Sequence, residues 1–320
     1  MNLSPERLSA LAADTGFRSE SLEKVIRLGE LLADIGRHPL LSRVLALKGG
    51  TALNLSFGPP PRLSVDLDFN YVGHLERTKM LEERPDVERA IETIGRGQGY
   101  QVQLSAEEHA GRKYYLSYRG ANGMFDRIEV DLNFMFRIPL GEMRELALWQ
   151  PAGIEQPKTR IVPLEELFAG KVRAMLDRML PRDLFDATRL PQHDAKIWGT
   201  ARFHKIFVAL AGTLPRPLGT YDRQRLDRVT ERIVREQLAP MVHASTRLSS
   251  DKLKTDAWNV VEPLLRLDSA ERDYIDWIHR GELRSELLFP EDRDLSERIG
   301  KHPALNWKVA NVRKMLARKP

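Results

Sequence analysis

The sequence predicts an α+β protein in which a mixed-sheet lobe is followed by a mainly α-helical lobe. Two segments in which apolar and polar residues alternate, 64–72 and 127–136, indicate strands of that sheet. From Pro163 onward the sequence is typical of helices punctuated by prolines. With 320 residues, the chain is long enough for a real core and for about two domains.

The elements before the first acidic strand are short. Residues 1–37 favour helices, because their apolar positions recur at close to helical spacing. Residues 43–47 (RVLAL) predict a short buried strand, and residues 51–57 predict a short helix that Gly58 and three prolines stop. The alternating strand 64–72 follows this break.

The middle of the chain predicts the rest of the sheet. Residues 76–94 are polar and favour a helix, and residues 100–104 and 113–118 favour strands. The tetrapeptide GANG at 120–123 indicates a hairpin turn before the alternating strand 127–136.

Prolines and glycines recur between 137 and 163, and they predict a linker between the two lobes. The predicted organisation therefore has three parts: N-terminal helices over 1–40, a sheet lobe over 41–150 and a helical lobe over 151–320. Residues 191–320 carry no motif that indicates a function.

Composition excludes several classes of protein. The chain has no cysteine, so it has neither disulfides nor thiolate metal sites. It shows no signal peptide and no apolar run of the length that spans a bilayer, so we expect a cytoplasmic protein with no membrane partner. A formal net charge of +5 suits an enzyme that handles phosphates or RNA.

Two strands place several acids on one face each. Residues i and i+2 of a strand share a face, so Asp66 and Asp68 lie together, as do Glu129, Asp131 and Asn133. Neighbouring carboxylates repel, and a divalent cation such as Mg²⁺ or Mn²⁺ relieves that repulsion. The alternative is a half-exposed sheet whose acids are simply solvated, which a single D-x-D pattern would favour.

A Gly-Gly pair stands between a predicted strand and a predicted helix. Gly49 and Gly50 allow the backbone to approach a phosphate closely, and the N–H groups at the helix start would face it. A tight turn would use the same two glycines. Because the pair precedes Asp66 by 16 residues, we interpret the segment as a phosphate cradle followed by its metal ligands.

Three motifs together resemble the AbiEii branch of the polymerase-β-like nucleotidyltransferase superfamily. They are LKGGTALNL, RLSVDLDF and the lysine-containing segment AGKVRAMLDRMLPRDLFDATRL at 169–190. The resemblance covers about residues 44–190. It implies a polymerase-β-like fold, a nucleotidyltransferase activity and a toxin of a type IV toxin–antitoxin system with a cognate antitoxin.

The same resemblance implies a site, which includes Asp131 because residues 130–133 (VDLN) resemble the family's second acidic strand. Its metal ligands are Asp66, Asp68 and Asp131, its nucleotide-binding residues are Lys48, Gly49, Gly50, Thr51, Ser64 and Lys171, and its catalytic residues are the three acids with Lys171 and Asp186. Glu129 is an alternative to Asp131, since both share a face, and Asp183 is a weaker match than Asp186 in the last motif.

Two features of the lysine segment also have structural interpretations. Lys171 lies on or beside an apolar stripe, so it either extends outward to solvent or meets an anion such as a triphosphate. Asp183 could cap the helix after Pro181, which would leave Asp186 as an acid of the first turn.

A stretch of arginines between 216 and 235 predicts a helix with one basic face. Solvated ion pairs with neighbouring acids are its usual explanation. Contact with RNA phosphates is the functional alternative.

The predicted reaction is Mg²⁺-dependent (or Mn²⁺-dependent) transfer of NMP from an NTP to an acceptor, with release of pyrophosphate. The resemblance implies that the acceptor is RNA, particularly the 3′ end of tRNA, so that the reaction would block translation. Transfer to a protein or small molecule, and a non-catalytic nucleotide-binding role, are the alternatives. A phosphate on Ser64 would repel NTP and so could control the site.

Overall fold

The structure is a computed structural model that describes residues 3–318. In chain order its strands are β1 (Leu45–Lys48), β2 (Asp66–Tyr71), β3 (Gln101–Leu104), β4 (Gly111–Arg119), β5 (Phe125–Asn133), β6 (Arg144–Ala147) and β7 (Lys158–Ile161).

The α-helices are α1 (Pro5–Thr15), α2 (Ser19–Arg37), α3 (Leu41–Val44), α4 (Gly49–Leu55), α5 (Arg77–Gly97), α6 (Leu164–Arg178), α7 (Pro181–His193), α8 (Ala201–Ala211), α9 (Glu231–Gln237), α10 (Ser250–Val261), α11 (Ser269–His279), α12 (Arg293–Gly300) and α13 (Pro303–Leu316). Short 3₁₀ segments cover Leu218–Thr220, Arg223–Arg228, Ala239–Met241, Glu262–Leu265 and Ser285–Leu287.

The chain divides into two compact units. The sheet unit comprises residues up to Arg137, residues 143–162 and residues 239–247. The helical unit comprises residues 138–142, 163–238 and those from 248 onward. The division into domains 1–40, 41–150 and 151–320 stays a prediction.

One mixed seven-stranded sheet organises the described part of the sheet unit. Its strand order is β3-β4-β5-β2-β1-β7-β6, with β2–β5 and β1–β7 parallel and the other pairs antiparallel. Antiparallel and parallel pairs in one sheet together with many helices confirm the predicted α+β class.

One face of the sheet is buried by helices. Leu67 and Phe69 of β2 and Val130 of β5 are each at most 1% exposed. The guanidinium of Arg27 in α2 lies 4.0 Å from the ring centroid of Tyr118 in β4, so α2 covers this face. Helix α5 packs on the same side, because Gly95 lies against side chains of β3 and β4. Burial of this apolar face supplies the main stabilisation of the unit.

The opposite face carries the alternate residues of the same strands. In β2, β4 and β5 most of those residues are polar, in the alternation that the sequence predicts for 64–72 and 127–136. Strand β5 ends at Asn133, three residues earlier than predicted. The Asn133 carboxamide oxygen accepts from the N–H groups of Met135 and Phe136 and so turns the chain.

The helical unit has its own aromatic core. Phe168 of α6 and Phe203 of α8 are fully buried and pack edge to face at 6.4 Å between ring centroids. Tyr274 of α11 is also buried, and its hydroxyl donates to the Ala209 carbonyl at 3.2 Å. No helix among residues 3–318 is both long and apolar enough to cross a membrane.

The prediction of a linker over 137–163 is wrong. Two strands lie in that segment: β7 pairs with β1 at the register Leu47–Ile161, and β6 pairs with β7. Both strands have only four residues, so the flanking prolines and glycines dominated the local pattern.

The single basic helix predicted over 216–235 is also wrong. A 3₁₀ segment (Arg223–Arg228) and α9 (Glu231–Gln237) replace it, since Thr230 caps α9 by accepting from the Ile233 N–H and so starts a new helix. The arginines therefore do not share one helical face.

Candidate active site

The two acidic strands are neighbours in the sheet. Strands β2 and β5 pair in parallel with Asp66 beside Glu129 and Asp68 beside Asp131. Residues at such paired positions point to the same face of a sheet, with Cβ atoms about 5 Å apart. Four carboxylates are thereby placed in a compact square on the face that α2 and α5 leave uncovered. All four residues are partly exposed.

Gly49 brings the backbone against this square. It has a φ of +76°, and a Cβ added there would lie 2.1 Å from Oδ2 of Asp68. Both the left-handed conformation and the close approach require glycine. The helix predicted to begin at Thr51 is α4, which begins two residues earlier, at Gly49. Lys48, the residue before α4, lies directly opposite Asp68 in the β1–β2 pair.

The next residues of α4 fix the strand that carries the acids. Thr51 is fully buried, and its hydroxyl donates to the backbone carbonyl of Asp66. The Asn54 amide donates to the Gly50 carbonyl at 2.9 Å, which closes the first turn of the helix. Thr51 thus holds β2 in place; a contact between Thr51 or Gly50 and nucleotide stays a prediction. Ser64, 7% exposed, lies two residues before β2.

Two cations from the same face contact the acids of β5. Nζ of Lys113 in β4 lies 3.5 Å from Oδ2 of Asp131, and the Arg127 guanidinium lies 2.9 Å from Oε1 of Glu129. Partial burial lowers the pKa of Lys113, but attraction to Asp131 and Glu129 outweighs it and raises that pKa above the ordinary lysine value. Both cations are about half exposed, so both can move away from the acids.

The donor set suits a hard divalent cation. Oxygen ligands from several carboxylates are what Mg²⁺ and Mn²⁺ prefer, and the paired positions bring such oxygens together. Among residues 3–318, no three His, Asp or Glu side chains are already arranged to hold a metal ion. The protein cations Lys113 and Arg127 neutralise two of the acids instead. The metal site of Asp66, Asp68 and Asp131 therefore stays a prediction whose chemistry fits.

Lys171 and Asp186 form an ion pair inside the helical unit. Nζ of Lys171 lies 2.8 Å from Oδ2 of Asp186, and the two side chains are 8% and 0% exposed. Lys171 does not extend to solvent. The anion that it meets in the structure is Asp186, and a further contact with a triphosphate stays a prediction.

The helix-cap interpretation of Asp183 is wrong. Helix α6 ends where Met179 adopts a left-handed conformation, and α7 begins at Pro181 with no side-chain cap. Asp183 is 1% exposed and accepts two hydrogen bonds from Arg178, at 2.7 and 3.1 Å. This bidentate pair joins the end of α6 to the start of α7.

Sequence reasoning missed Lys113, Tyr115 and Arg127. Lys113 and Tyr115 lie directly opposite Asp131 and Glu129 in the β4–β5 hairpin. The GANG turn at 120–123 was the available signal, because counting outward from the hairpin turn pairs these residues with the acids.

One solved structure has a similar fold. The structure is similar to that of MenT4, a nucleotidyltransferase toxin from Mycobacterium tuberculosis H37Rv, with a TM-score of 0.60. The match covers 97% of this chain and 98% of that chain at 15% sequence identity, which is a likeness of fold. A comparison with curated protein sequences finds no significant match. This chain therefore shares its overall fold with MenT4.

The sequence itself matches the family described as "Nucleotidyl transferase AbiEii toxin, Type IV TA system" over residues 30–262. The chain therefore belongs to the AbiEii family of nucleotidyltransferase toxins. This confirms the resemblance read from the three motifs. Membership makes the protein a nucleotidyltransferase with an NTP substrate and implies an antitoxin partner.

Proposed function

We propose that this protein is a cytoplasmic, Mg²⁺-dependent enzyme that transfers NMP from an NTP to the 3′ end of RNA, in particular of tRNA. The observation that carries the proposal is the register of β2 and β5, which sets Asp66 beside Glu129 and Asp68 beside Asp131 next to Gly49. Addition of nucleotides to the 3′ end of tRNA would block aminoacylation and stop translation.

Asp66, Asp68 and Asp131 would hold the metal, with Glu129 as the alternative third ligand. When bound, Mg²⁺ lowers the pKa of an acceptor hydroxyl and neutralises charge on the phosphates. Asp131 is the preferred third ligand because it is paired with Asp68, against which Gly49 packs. Its partner Lys113 is exposed enough to release it.

The reaction is a substitution at the α-phosphorus. The acceptor hydroxyl oxygen forms the new bond, the bond to the bridging oxygen of the β-phosphate breaks, and pyrophosphate leaves while the hydroxyl proton passes to water. Lys48 lies beside Asp68 at the start of the Gly49–Gly50 turn and would contact the departing phosphates. The family motif further proposes Lys171 and Asp186 as residues of this reaction.

Charge supports RNA as the acceptor. The formal net charge is +5 despite the four acids of the candidate site, so the remainder of the protein is more basic still. An acceptor that is itself a polyanion gains from this field, and its affinity should fall with salt.

The test incubates the purified protein with each α-labelled NTP, Mg²⁺ and total cellular RNA or total cellular protein. We expect label on RNA at a 3′ end, and at least a hundredfold less label with Asp66→Asn or Asp68→Asn. Asp126→Asn is the matched control, because Asp126 lies on β5 but pairs with Lys24 on the opposite face. That variant should label RNA as the wild type does.

Metal binding gives a second readout that needs no turnover. Titration with Mn²⁺ should show a binding event that Asp68→Asn and Asp131→Asn each weaken at least tenfold.

Two outcomes would favour the alternative functions. In the labelling assay, label on protein in place of RNA would show that the acceptor is a protein. If expression of the chain in cells arrests growth and the double variant Asp66→Asn with Asp68→Asn still does so, the chain is a non-catalytic binding partner.

Ser64 remains a proposed control point. Its side chain is buried, so a kinase would reach it only after the segment before β2 opens. A phosphate there would add negative charge two residues from Asp66 and oppose binding of NTP. Ser64→Asp should raise the KM for NTP well above the value for Ser64→Ala, which lacks the hydroxyl but adds no charge; equal KM values for the two variants would remove this idea.

A further inference from the structure

On the exposed face of the β4–β5 hairpin, a strip of cationic and aromatic side chains continues from the four carboxylates of the candidate site (the acidic square). Residues that alternate along β5 toward the hairpin turn are Asp131, Glu129, Arg127 and Phe125. The acids thus give way to a cation and then to an aromatic ring. Because successive residues advance about 3.3 Å, Phe125 lies about 13 Å from Glu129 along the strand.

The aromatic residue at the far end is poorly explained by packing. The side chain of Phe125 is 77% exposed, and the adjacent Met124 is 68% exposed. Burial of a phenylalanine ring stabilises a folded protein, and Phe125 lacks that stabilisation. Two large apolar side chains exposed together at one turn indicate a surface that contacts something else.

A second ring lies nearer to the acids. Tyr115 of β4 is opposite Glu129, and the guanidinium carbon of Arg127 lies 4.8 Å from the centroid of its ring. The planar Arg127 group over a ring forms a flat cationic layer on which a nucleobase can stack. Lys113 adds a cation beside the acids, and Arg119 adds one opposite Phe125.

We infer that this strip (Phe125, Arg127, Tyr115 and Lys113, with Arg119 at its far end) binds the single-stranded 3′ segment of the acceptor RNA. Unpaired bases of single-stranded RNA stack on aromatic rings and guanidinium groups, and its phosphates bind to cationic side chains. The strip offers both kinds of group. The strip leads directly to the four carboxylates, where the terminal hydroxyl would react. The inference rests on the proposed function.

The direction of the bound strand follows from this arrangement. The terminal nucleotide would lie beside Asp66 and Asp68, the preceding base would stack on the Arg127–Tyr115 layer, and a base further upstream would stack on Phe125. A duplex end has no unpaired bases to offer to these rings, so the strip selects RNA with a free 3′ extension.

Cation release would strengthen this binding. Lys113 and Arg127 are paired with Asp131 and Glu129 in the structure. When those acids turn to a metal ion, the two cations become available for RNA phosphates. The strip therefore gains positive charge as the acidic square is neutralised.

The test measures RNA binding without NTP, in Mg²⁺, by fluorescence anisotropy of a hairpin RNA with a short single-stranded 3′ extension. We expect Phe125→Ala and Arg127→Gln each to weaken binding at least fivefold, because each removes a group on which a base stacks. Arg127→Gln should also reduce the salt slope by about 0.7. A blunt hairpin should bind weakly to wild type and variants alike.

Matched controls come from exposed residues elsewhere. Arg89→Gln removes an exposed arginine of α5 that pairs with Asp86, and Trp307→Ala removes an aromatic residue that is 57% exposed. Both should bind the extended hairpin within twofold of wild type.

The outcomes separate the two proposals. If the wild type labels RNA while Phe125→Ala and Arg127→Gln keep its affinity and KM for RNA, the strip is wrong and the proposed function stands. Loss of affinity for a partner protein with RNA binding intact would make this face a protein interface instead. A wild type that neither binds nor labels RNA overturns both.

Discussion

Breaking the buried pair of Lys171 and Asp186 should cost more stability than any exposed ion pair of the helical unit. The two side chains are 8% and 0% exposed, and the contacting atoms are 2.8 Å apart. Lys171→Met leaves a buried carboxylate facing an apolar side chain, and Asp186→Leu leaves a buried ammonium. Each single change should lower the free energy of unfolding by about 3–5 kcal/mol.

The double variant Lys171→Met with Asp186→Leu removes both charges together. It should recover to within about 1–2 kcal/mol of wild type, because apolar residues of similar volume can replace a buried pair. The double-mutant cycle should therefore show strong non-additivity. It also separates two roles: a stable double variant that fails to transfer NMP would show that the pair contributes to catalysis as well as to folding.

Urea unfolding followed by tryptophan fluorescence is the assay. Trp198, Trp258, Trp277 and Trp307 lie in the helical unit, so the signal reports mainly on that unit. The exposed pair of Lys252 and Asp256 in α10 is the control, and Lys252→Met should cost less than about 1 kcal/mol. Single variants of the buried pair that also lose less than about 1 kcal/mol, or losses that simply add, would refute the reasoning.

Three further predictions follow from individual contacts. Gly49→Ala should abolish NMP transfer and lower stability by about 1–3 kcal/mol, because the backbone is left-handed and the methyl group would meet a carboxylate. Gly153→Ala has a similar φ of +75° in open space, so thermal unfolding should show only the backbone cost and transfer should persist; equal activity of the two variants would contradict the clash. Burial raises the pKa of Glu166 to about 8, so the folded state retains a proton that the unfolded state loses. The contribution of Glu166 to stability should be fully present below about pH 4.5 and fall by roughly 1.4 kcal/mol per pH unit up to about pH 8. Urea midpoints at several pH values should show that Glu166→Gln flattens this dependence, and an unchanged slope would place the proton elsewhere. The hydrogen bond to Glu271 raises the pKa of His204 above 6.5, so its stabilisation should be complete below pH 6.5 and lost as pH rises through the folded pKa. A titration of the His204 ring by NMR should show the raised pKa fall when Glu271 is changed to Gln, and a midpoint that does not move would assign the shift to another group.

Local patterns fixed the acidic strands and the order of the lobes. Alternation over 64–72 and 127–136 predicted which residues of β2 and β5 share a face, because a side-chain period of two depends only on the strand itself. Gly49 was also visible, since a Gly-Gly pair between strand and helix marks a turn whatever surrounds it. The match of three separated motifs then placed the chain in its family.

Partners across the sheet were decided by the tertiary structure. Nothing local to β2 says that β5 lies beside it in parallel, or that Asp68 is paired with Asp131 and not with Glu129. The same holds for β6 and β7, whose four residues each are too few to show a period but suffice to pair with a strand already in place.

The sequence by itself therefore determined the chemistry available to this protein: carboxylates in alternation, a Gly-Gly turn and a lysine in an apolar stripe. The tertiary structure decided which charges meet, setting Lys171 against Asp186 and Asp68 beside Asp131. The physical reason is the distance along the chain over which each property is set. Side-chain direction follows from backbone geometry within a few residues, whereas a charge finds its partner only when distant segments of the chain pack together.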